Sequence, residues 1–536
     1  MPIGAVVRFW VGLSVLIASP PALHNGMYVW VVSSLERIGQ ASAPGAETAV
    51  SLQAARGETE SFQIGIRAPE GVTLTGVEVS VSDLSAGSRR SIPASSVSLF
   101  RERYVEVRRG SPDRLGSNRP LGPGRYPDAL IPFKDPQTGA PWGHGLASPF
   151  EVEEGTNQVI WVDVSVPRSA MAGRYQGAYT VRSDQGVFRG GVELEVWDFT
   201  LPPKPALRTS FLVWSADSLP VIQELLRNKL NPAKSPPAQQ RALTDDFGLA
   251  SADLGLWSGA DIGNCIMPNP PPLSQIKKVL AAHAPDLYLY NYSADEIDRC
   301  QNLVEPLKRW GRALREAGIR QLVTMAPTPA LLDDGSGAGR SAVDIWVMLP
   351  VVYDRALQTV LQAQKKGDEI WSYNALVQDS YSPKWLIDFD PINFRIQPGF
   401  ISQSLNLTGL LYWRVDLWGP DPWSVVNTGQ FQQYPGEGML VYPGAPLGAH
   451  GVAPSMRLKW LRDGVEDYDY MQLLKEAGHG KQAMEIAARV GKNWSSWTHD
   501  PQALQNARRE AGEILSRASR DRKLGVTPRR EPVSPR

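Results

Sequence analysis

Residues 286–325 read DLYLYNYSADEIDRCQNLVEPLKRWGRALREAGIRQLVTM, and their periodicity decides the fold. The aromatic and aliphatic run at 286–292 is a strand. Beyond it, Leu303, Leu307, Trp310 and Leu314 recur at spacings of four, three and four, one apolar face of a helix. Pro306 lies inside that helix and either kinks it or marks its first turn. Gly318 ends it as a C-terminal cap, and 321–325 is a second strand. A strand, a helix and a strand in this order form one unit of a parallel sheet.

Working outward, the alternation repeats. Strand candidates stand at 208–214, 344–349, 369–373 and 409–415, with a helical stretch near 221–230. Over about 240 residues, a (β/α)8-type barrel is the natural closure. Residues 245–270 yield no strand by pattern. From Ser455, a plausible N-cap, the chain turns helical. Leu458, Leu461, Val465, Tyr468 and Met471 form an apolar stripe, and 481–490 and 502–518 are further helices. The charge-dense stretch 462–468 suits ion pairs that dock this helix to the barrel.

Before residue 204 the texture differs. Short alternating runs at 28–32, 61–67, 77–81, 97–100, 159–166, 175–181 and 192–197, separated by turn residues, predict a β-sandwich. Residues 110–149, rich in Gly and Pro, read as a long loop. The Pro-rich stretch 201–205 is a domain junction. The expected organisation is therefore multidomain, with both α and β structure. A leader spans 1–26, a β-sandwich 27–203, a catalytic barrel 204–454, a helical region 455–520 and a disordered basic tail 521–536.

Composition narrows the function. Of 536 residues, 55 are Lys or Arg and 55 are Asp or Glu, so no cationic excess supports nucleic-acid binding. The run FWVGLSVLIA at 9–18 is too short to span a bilayer and fits the core of a secretory signal, so export is expected. A start near Met27 is the alternative. No later segment suggests a membrane span. The six histidines show no metal-ligand spacing, and Cys265 and Cys300 are too few for a cysteine metal cluster. The two cysteines could pair, which sequence leaves open. Cys300 reads as a small buried helix residue.

The chemistry centres on Asp295 and Glu296, which follow the 286–292 strand where barrels place catalytic groups. Adjacent carboxylates can divide acid and electrostatic roles, although two acids also suit a helix start. Trp371, Tyr373, Tyr412, Trp413 and Trp418 cluster at strand ends, with Asp416 among them. Aromatic faces there suit sugar stacking, although core packing explains strand aromatics equally.

Several segments together resemble the glycoside hydrolase family 123 group. They are GETESFQ (57–63), GRYPDALIP (124–132), NQVIWVDVSVP (157–167), AGRYQGAY (172–179) and YNYSADEI (290–297). EGMLVYPG (437–444) and PSMRLKWLRDGVEDYDYMQLL (454–474) resemble the pattern called domain of unknown function 4091. The resemblance implies a retaining β-N-acetylgalactosaminidase that uses its substrate's 2-acetamido oxygen as nucleophile. It implies Glu296 as general acid/base and Asp295 as the group orienting the acetamido. Tyr292, Trp371, Tyr373, Tyr412, Trp413 and Asp416 would then line the sugar pocket by position. The substrate would be a glycan or glycoconjugate, with no cofactor. Two other readings stay open. One is a two-carboxylate glycosidase pairing Glu296 with Asp416 or Glu369; the other is a secreted glycan-binding protein without turnover.

Overall fold

The computed structural model describes residues 22–87, 90–216 and 218–524. The run at 9–18 and residues 525–536 lie outside them.

The first 200 residues build two sheets. One runs in the order Leu23–His24, Met27–Ser33, Thr59–Arg67, Asn157–Ser165, Val97–Val107, Gly124–Pro132. The other runs Phe150–Val152, Leu74–Val81, Gly173–Ser183, Gly186–Thr200, Val50–Arg56. Alternation sets the inner faces: in LTGVEVSV, Leu74, Val77, Val79 and Val81 are buried while Glu78 and Ser80 face water. Ile64 and Val162 of one sheet share a core with Val192 and Leu194 of the other. Strand Gly124–Pro132 corrects the expectation of a long loop over 110–149. Its prolines hid it, yet it is the edge strand, where missing donors are tolerated, and the register shifts beside Pro127. Likewise Leu23–His24 pairs with Met27–Ser33, so sandwich structure begins inside the expected leader.

The middle of the chain forms a nearly closed parallel barrel of seven strands. Around the ring stand Arg208–Phe211, Gly409–Tyr412, Glu369–Tyr373, Ile345–Met348, Arg320–Thr324, Tyr288–Asp295 and Ser251–Asp253. The last of these lies in the stretch 245–270 where no strand was expected; three residues are too few to show a period. In place of the eighth strand expected of a (β/α)8 barrel, residues 231–233 bridge the gap between the first and last of these strands. Phe211 N–H donates to Asn231 O at 3.0 Å, Ala233 N–H to Phe211 O at 2.8 Å, and Asp253 N–H to Ala233 O at 2.7 Å. Tyr290, Leu322, Ile345, Val347, Trp371 and Leu411 fill the interior. Helix Val304–Glu316 buries Leu307, Trp310 and Leu314, with Pro306 in its first turn.

Helix Met456–Glu476 starts on the Ser455 cap, whose side chain accepts from Leu458 N–H. It carries more than one apolar stripe into the interior, because it is wedged between sandwich and barrel and is buried on nearly every side. Its charges therefore pair inward, and not with the barrel alone. Arg457 takes Asp128 of the sandwich at 2.8 Å, Arg462 takes Asp163 at 3.0 Å, and Asp467 takes Arg395 at 2.7 Å. Helix Pro501–Lys523 packs on Gly186–Thr200, where Gly512 admits the Trp197 ring. Lys523 pairs with Asp198, so helix extends into the stretch expected to be a tail. No helix among the described residues is long and apolar enough to cross a membrane.

Candidate active site

Strand Tyr288–Asp295 sends Tyr290 into the barrel interior, with Tyr288 and Tyr292 packed against the same cluster. Simple alternation would continue with Ala294. A register shift intervenes: Tyr292 pairs with Leu322 but Ala294 with Val323, leaving Ser293 without a partner in the ladder. Such a bulge moves the following residues to the other face. Asp295 thus comes onto the side of Tyr292, whose hydroxyl donates to Asp295 Oδ1 at 2.8 Å. Thr324, on the neighbouring strand, donates its hydroxyl to the same oxygen.

Glu296 takes left-handed backbone angles, φ 47 and ψ 40, which a non-glycine residue adopts only when its surroundings impose them. Its N–H is held by Thr324 O at 3.0 Å and Thr324 Oγ1 at 3.1 Å. The Tyr373 hydroxyl donates to Glu296 Oε1 at 2.6 Å. Burial, with the neighbouring carboxylates, pushes the Tyr292 and Tyr373 phenols far above their ordinary value, so both remain donors at any working pH. Each exposed carboxylate therefore has its own fixed phenol.

Tyr292, Asp295, Glu296 and Tyr373 come together at the C-terminal mouth of the barrel. The other expected pocket residues divide. Trp413 is half-buried just past the end of Gly409–Tyr412. Trp371 is a correction: it is wholly buried in the barrel, packs on Tyr290, and points its indole N–H toward Glu369 at 3.1 Å. Tyr412 is another, packed in the core with its ring tilted against Phe211 and Trp385. Asp416 is buried and accepts from Trp214 N–H at 2.9 Å, Ser215 N–H at 2.6 Å and Arg414 Nε at 3.1 Å, so it fastens a loop. Glu369 opens its strand at the opposite end of the barrel, bound to Arg208, Tyr288 and Thr408. Strand-end position alone could not tell inward from mouthward.

Sequence reasoning missed Thr324 and two exposed tryptophans. Trp214 is 60% exposed after the Arg208–Phe211 strand, over Arg414 at 5.2 Å. Trp257 is 51% exposed and meets the Tyr292 ring edge-on at 5.9 Å. Their signal was present, since a tryptophan just past a barrel strand is a candidate for the mouth, but the second strand had gone unseen. Cys265 and Cys300 form a disulfide, which ties the Trp257 loop to the turns after Glu296. Cys300 lies between two 3₁₀ turns, not in a helix. No group of three or more His, Cys, Asp or Glu able to hold a metal occurs among the described residues. Crevices of about 830 and 580 Å³ lie elsewhere, on the sandwich where it meets the C-terminal helices and the barrel wall.

A glycoside hydrolase 123 N-terminal domain model matches residues 39–183, and a glycoside hydrolase 123 catalytic domain model matches 336–474. The 454–474 segment thus belongs to the catalytic-domain match, and residues 295 and 296 lie outside both. Among solved structures, the chain is similar to a family 123 glycoside hydrolase from Clostridium perfringens, whose structural analysis concerned glycolipid glycan hydrolysis. Identity is 12%, coverage 93% of this chain and 99% of that one, and TM-score 0.62. A Bacteroides uniformis β-glucuronidase 2 mutant matches at 9% identity, over 77% of this chain and 48% of that one, with a TM-score of 0.27. No curated protein matches by sequence. The two domain models together span more than half of the sequence, and the chain belongs to the glycoside hydrolase 123 family.

Proposed function

We propose that this glycosidase cleaves β-linked N-acetylgalactosamine, or a related 2-acetamido sugar, with retention and with the substrate's own acetamido oxygen as nucleophile. One observation carries the reading. Asp295 and Glu296 are each oriented by a separate phenol, while Asp416 and Glu369, the two carboxylates weighed as a protein nucleophile, are committed elsewhere. Retention by a protein nucleophile needs a second carboxyl about 5–5.5 Å from the acid. Asp416 is buried under its loop and Glu369 sits at the far end of the barrel.

In the first step the acetamido oxygen bonds to the anomeric carbon as the glycosidic C–O bond breaks. Glu296 gives its proton to the departing oxygen. Tyr373 occupies Oε1, leaving Oε2 for the substrate. Asp295 accepts the acetamido N–H and steadies the positive oxazolinium ring. Water then attacks the anomeric carbon, Glu296 takes its proton, and the acetamido group is restored. Trp214 and Trp257 offer open indole faces to the rest of the glycan. The disulfide supports export to an oxidising compartment.

The test is hydrolysis of matched aryl β-galactosides with and without the 2-acetamido group. Turnover confined to the acetamido sugar, and reduced at least 100-fold in Glu296→Gln, is the expected result. Equal turnover of both sugars would sink substrate assistance. A glycolipid glycan, named for the clostridial relative, is the natural substrate to try next.

A further inference from the structure

Glu437 is buried, and nothing in the reaction above uses it. It stands between Gly436 and Gly438, whose φ values are 76 and 69. A side chain at Gly436 would meet Ile387 at 2.8 Å and Arg457 at 2.9 Å; one at Gly438 would meet the Trp413 ring at 2.8 Å. The two left-handed glycines therefore let the backbone turn tightly enough to aim the Glu437 carboxyl under the barrel mouth. There Leu376 N–H donates to Oε2 at 2.8 Å and Trp413 Nε1–H to Oε1 at 2.5 Å. Leu376 has φ 56, a strained conformation that the carboxylate holds. It lies three residues after Tyr373, on the loop leaving Glu369–Tyr373, whereas Trp413 follows the adjacent strand Gly409–Tyr412.

We propose that Glu437 is a positioning residue: its carboxylate clamps the ends of two adjacent barrel strands and so fixes Tyr373 against Glu296. The role rests on the glycosidase reading for its purpose, though not for its geometry. Asn374 Nδ2, bonded to Pro383 O and Gln397 Oε1 at 2.8 Å each, anchors the same loop from the other side. The charged and titratable groups facing Glu437 are Arg457, itself paired with Asp128, and the Tyr412 phenol. Burial outweighs these neighbours and raises Glu437 to about 7. Ionised, both oxygens accept; protonated, one becomes a donor facing an N–H, and the clamp loosens.

The experiment compares wild type with Glu437→Gln by hydrogen–deuterium exchange across 374–380 and by kcat and KM against pH. Exchange is expected to rise at least threefold. With an acetamido glycoside, kcat is expected to fall at least tenfold with KM within threefold, and an inflection near pH 7 to disappear. Unchanged exchange overturns the clamp, whatever the activity. Raised exchange with kcat and its pH profile unchanged overturns the link to Tyr373. If wild type turns over no acetamido glycoside, the functional reading fails and exchange alone decides the clamp. Should Glu437→Gln not fold, Trp413→Phe removes one anchor and is expected to raise exchange at 374–380 at least twofold; no rise overturns the proposal.

Discussion

At the scale of single residues, two of the three hydroxyls that hold the acidic pair, those of Tyr373 and Thr324, give the sharpest tests. Tyr373→Phe removes a hydrogen bond to a carboxylate, an interaction worth about 1.5–3 kcal/mol. If that bond is realised in the transition state, kcat falls roughly 10- to 100-fold while KM changes little. A Tyr373→Phe enzyme with native kcat would show that the phenol does not orient Glu296. Thr324→Val removes both the donor to Asp295 and one acceptor of Glu296 N–H, on a buried β-branched site that valine fills. Its expected cost falls on the ring-forming step, so substrates with excellent leaving groups should be slowed as much as poor ones. Sparing of the good leaving groups would assign Thr324 to acid catalysis instead. Asp295 and Glu296 were legible as neighbours at a strand end. Tyr292 and Tyr373 were legible as pocket residues by position, but not as the donors to these two carboxylates, and Thr324 was not legible at all, because these contacts form only through sheet neighbours and ring closure.

At the scale of elements, the bulge at Ser293 and the disulfide shape the mouth. The bulge could not be read from YNYSADEI, since one unpaired residue leaves no periodic trace. Cys265–Cys300 closes a 35-residue separation and restrains the loop that presents Trp257. Cross-links of this size contribute about 3–4 kcal/mol through the unfolded ensemble. Cys265→Ser with Cys300→Ser should therefore increase protease cleavage within 254–272 and lower kcat/KM about tenfold. Loss of cleavage protection without any loss of kcat/KM would mean that Trp257 does not contact the glycan. The edge strand Gly124–Pro132 and the short strand Ser251–Asp253 were missed for related reasons: prolines masked one, and brevity the other.

At the scale of the whole molecule, the wedge helix gathers buried charge. Burial would raise Asp163, but the Arg462 and Lys459 charges overcome it and hold it far below the usual range. Other carboxyls go the opposite way. Burial raises Glu102 to about 8 and Asp469 to about 7, and it raises Glu60 and Glu466 against their cationic neighbours. Take Glu102, with an ordinary value of 4.5. Between pH 4.5 and about 8 the folded state keeps a proton that the unfolded chain has released. Its stabilising effect is complete below 4.5 and is lost as pH rises toward 8. The thermal midpoint should therefore fall between pH 5.5 and 8.5. Glu102→Gln should flatten that slope and raise the midpoint at pH 8.5, since neither oxygen has a hydrogen-bond partner to lose. A midpoint that climbs with pH in wild type would contradict this account.

By itself, the sequence determined the sandwich, the alternating strands and helices, the capped helix at Ser455 and the acidic pair at a strand end. These follow from hydrophobic period, turn residues and capping, all of which act over a few neighbouring positions. Only the tertiary structure decided which way each strand-end side chain faces, which carboxylates are spent on loops, and that a charge-rich helix lies buried between two domains. Those outcomes depend on pairings between residues tens to hundreds of positions apart, such as Tyr373 with Glu296, Leu376 with Glu437 and Arg462 with Asp163. No local pattern encodes such a pairing, because its energy appears only when closure of the ring and docking of the helix bring the partners into contact.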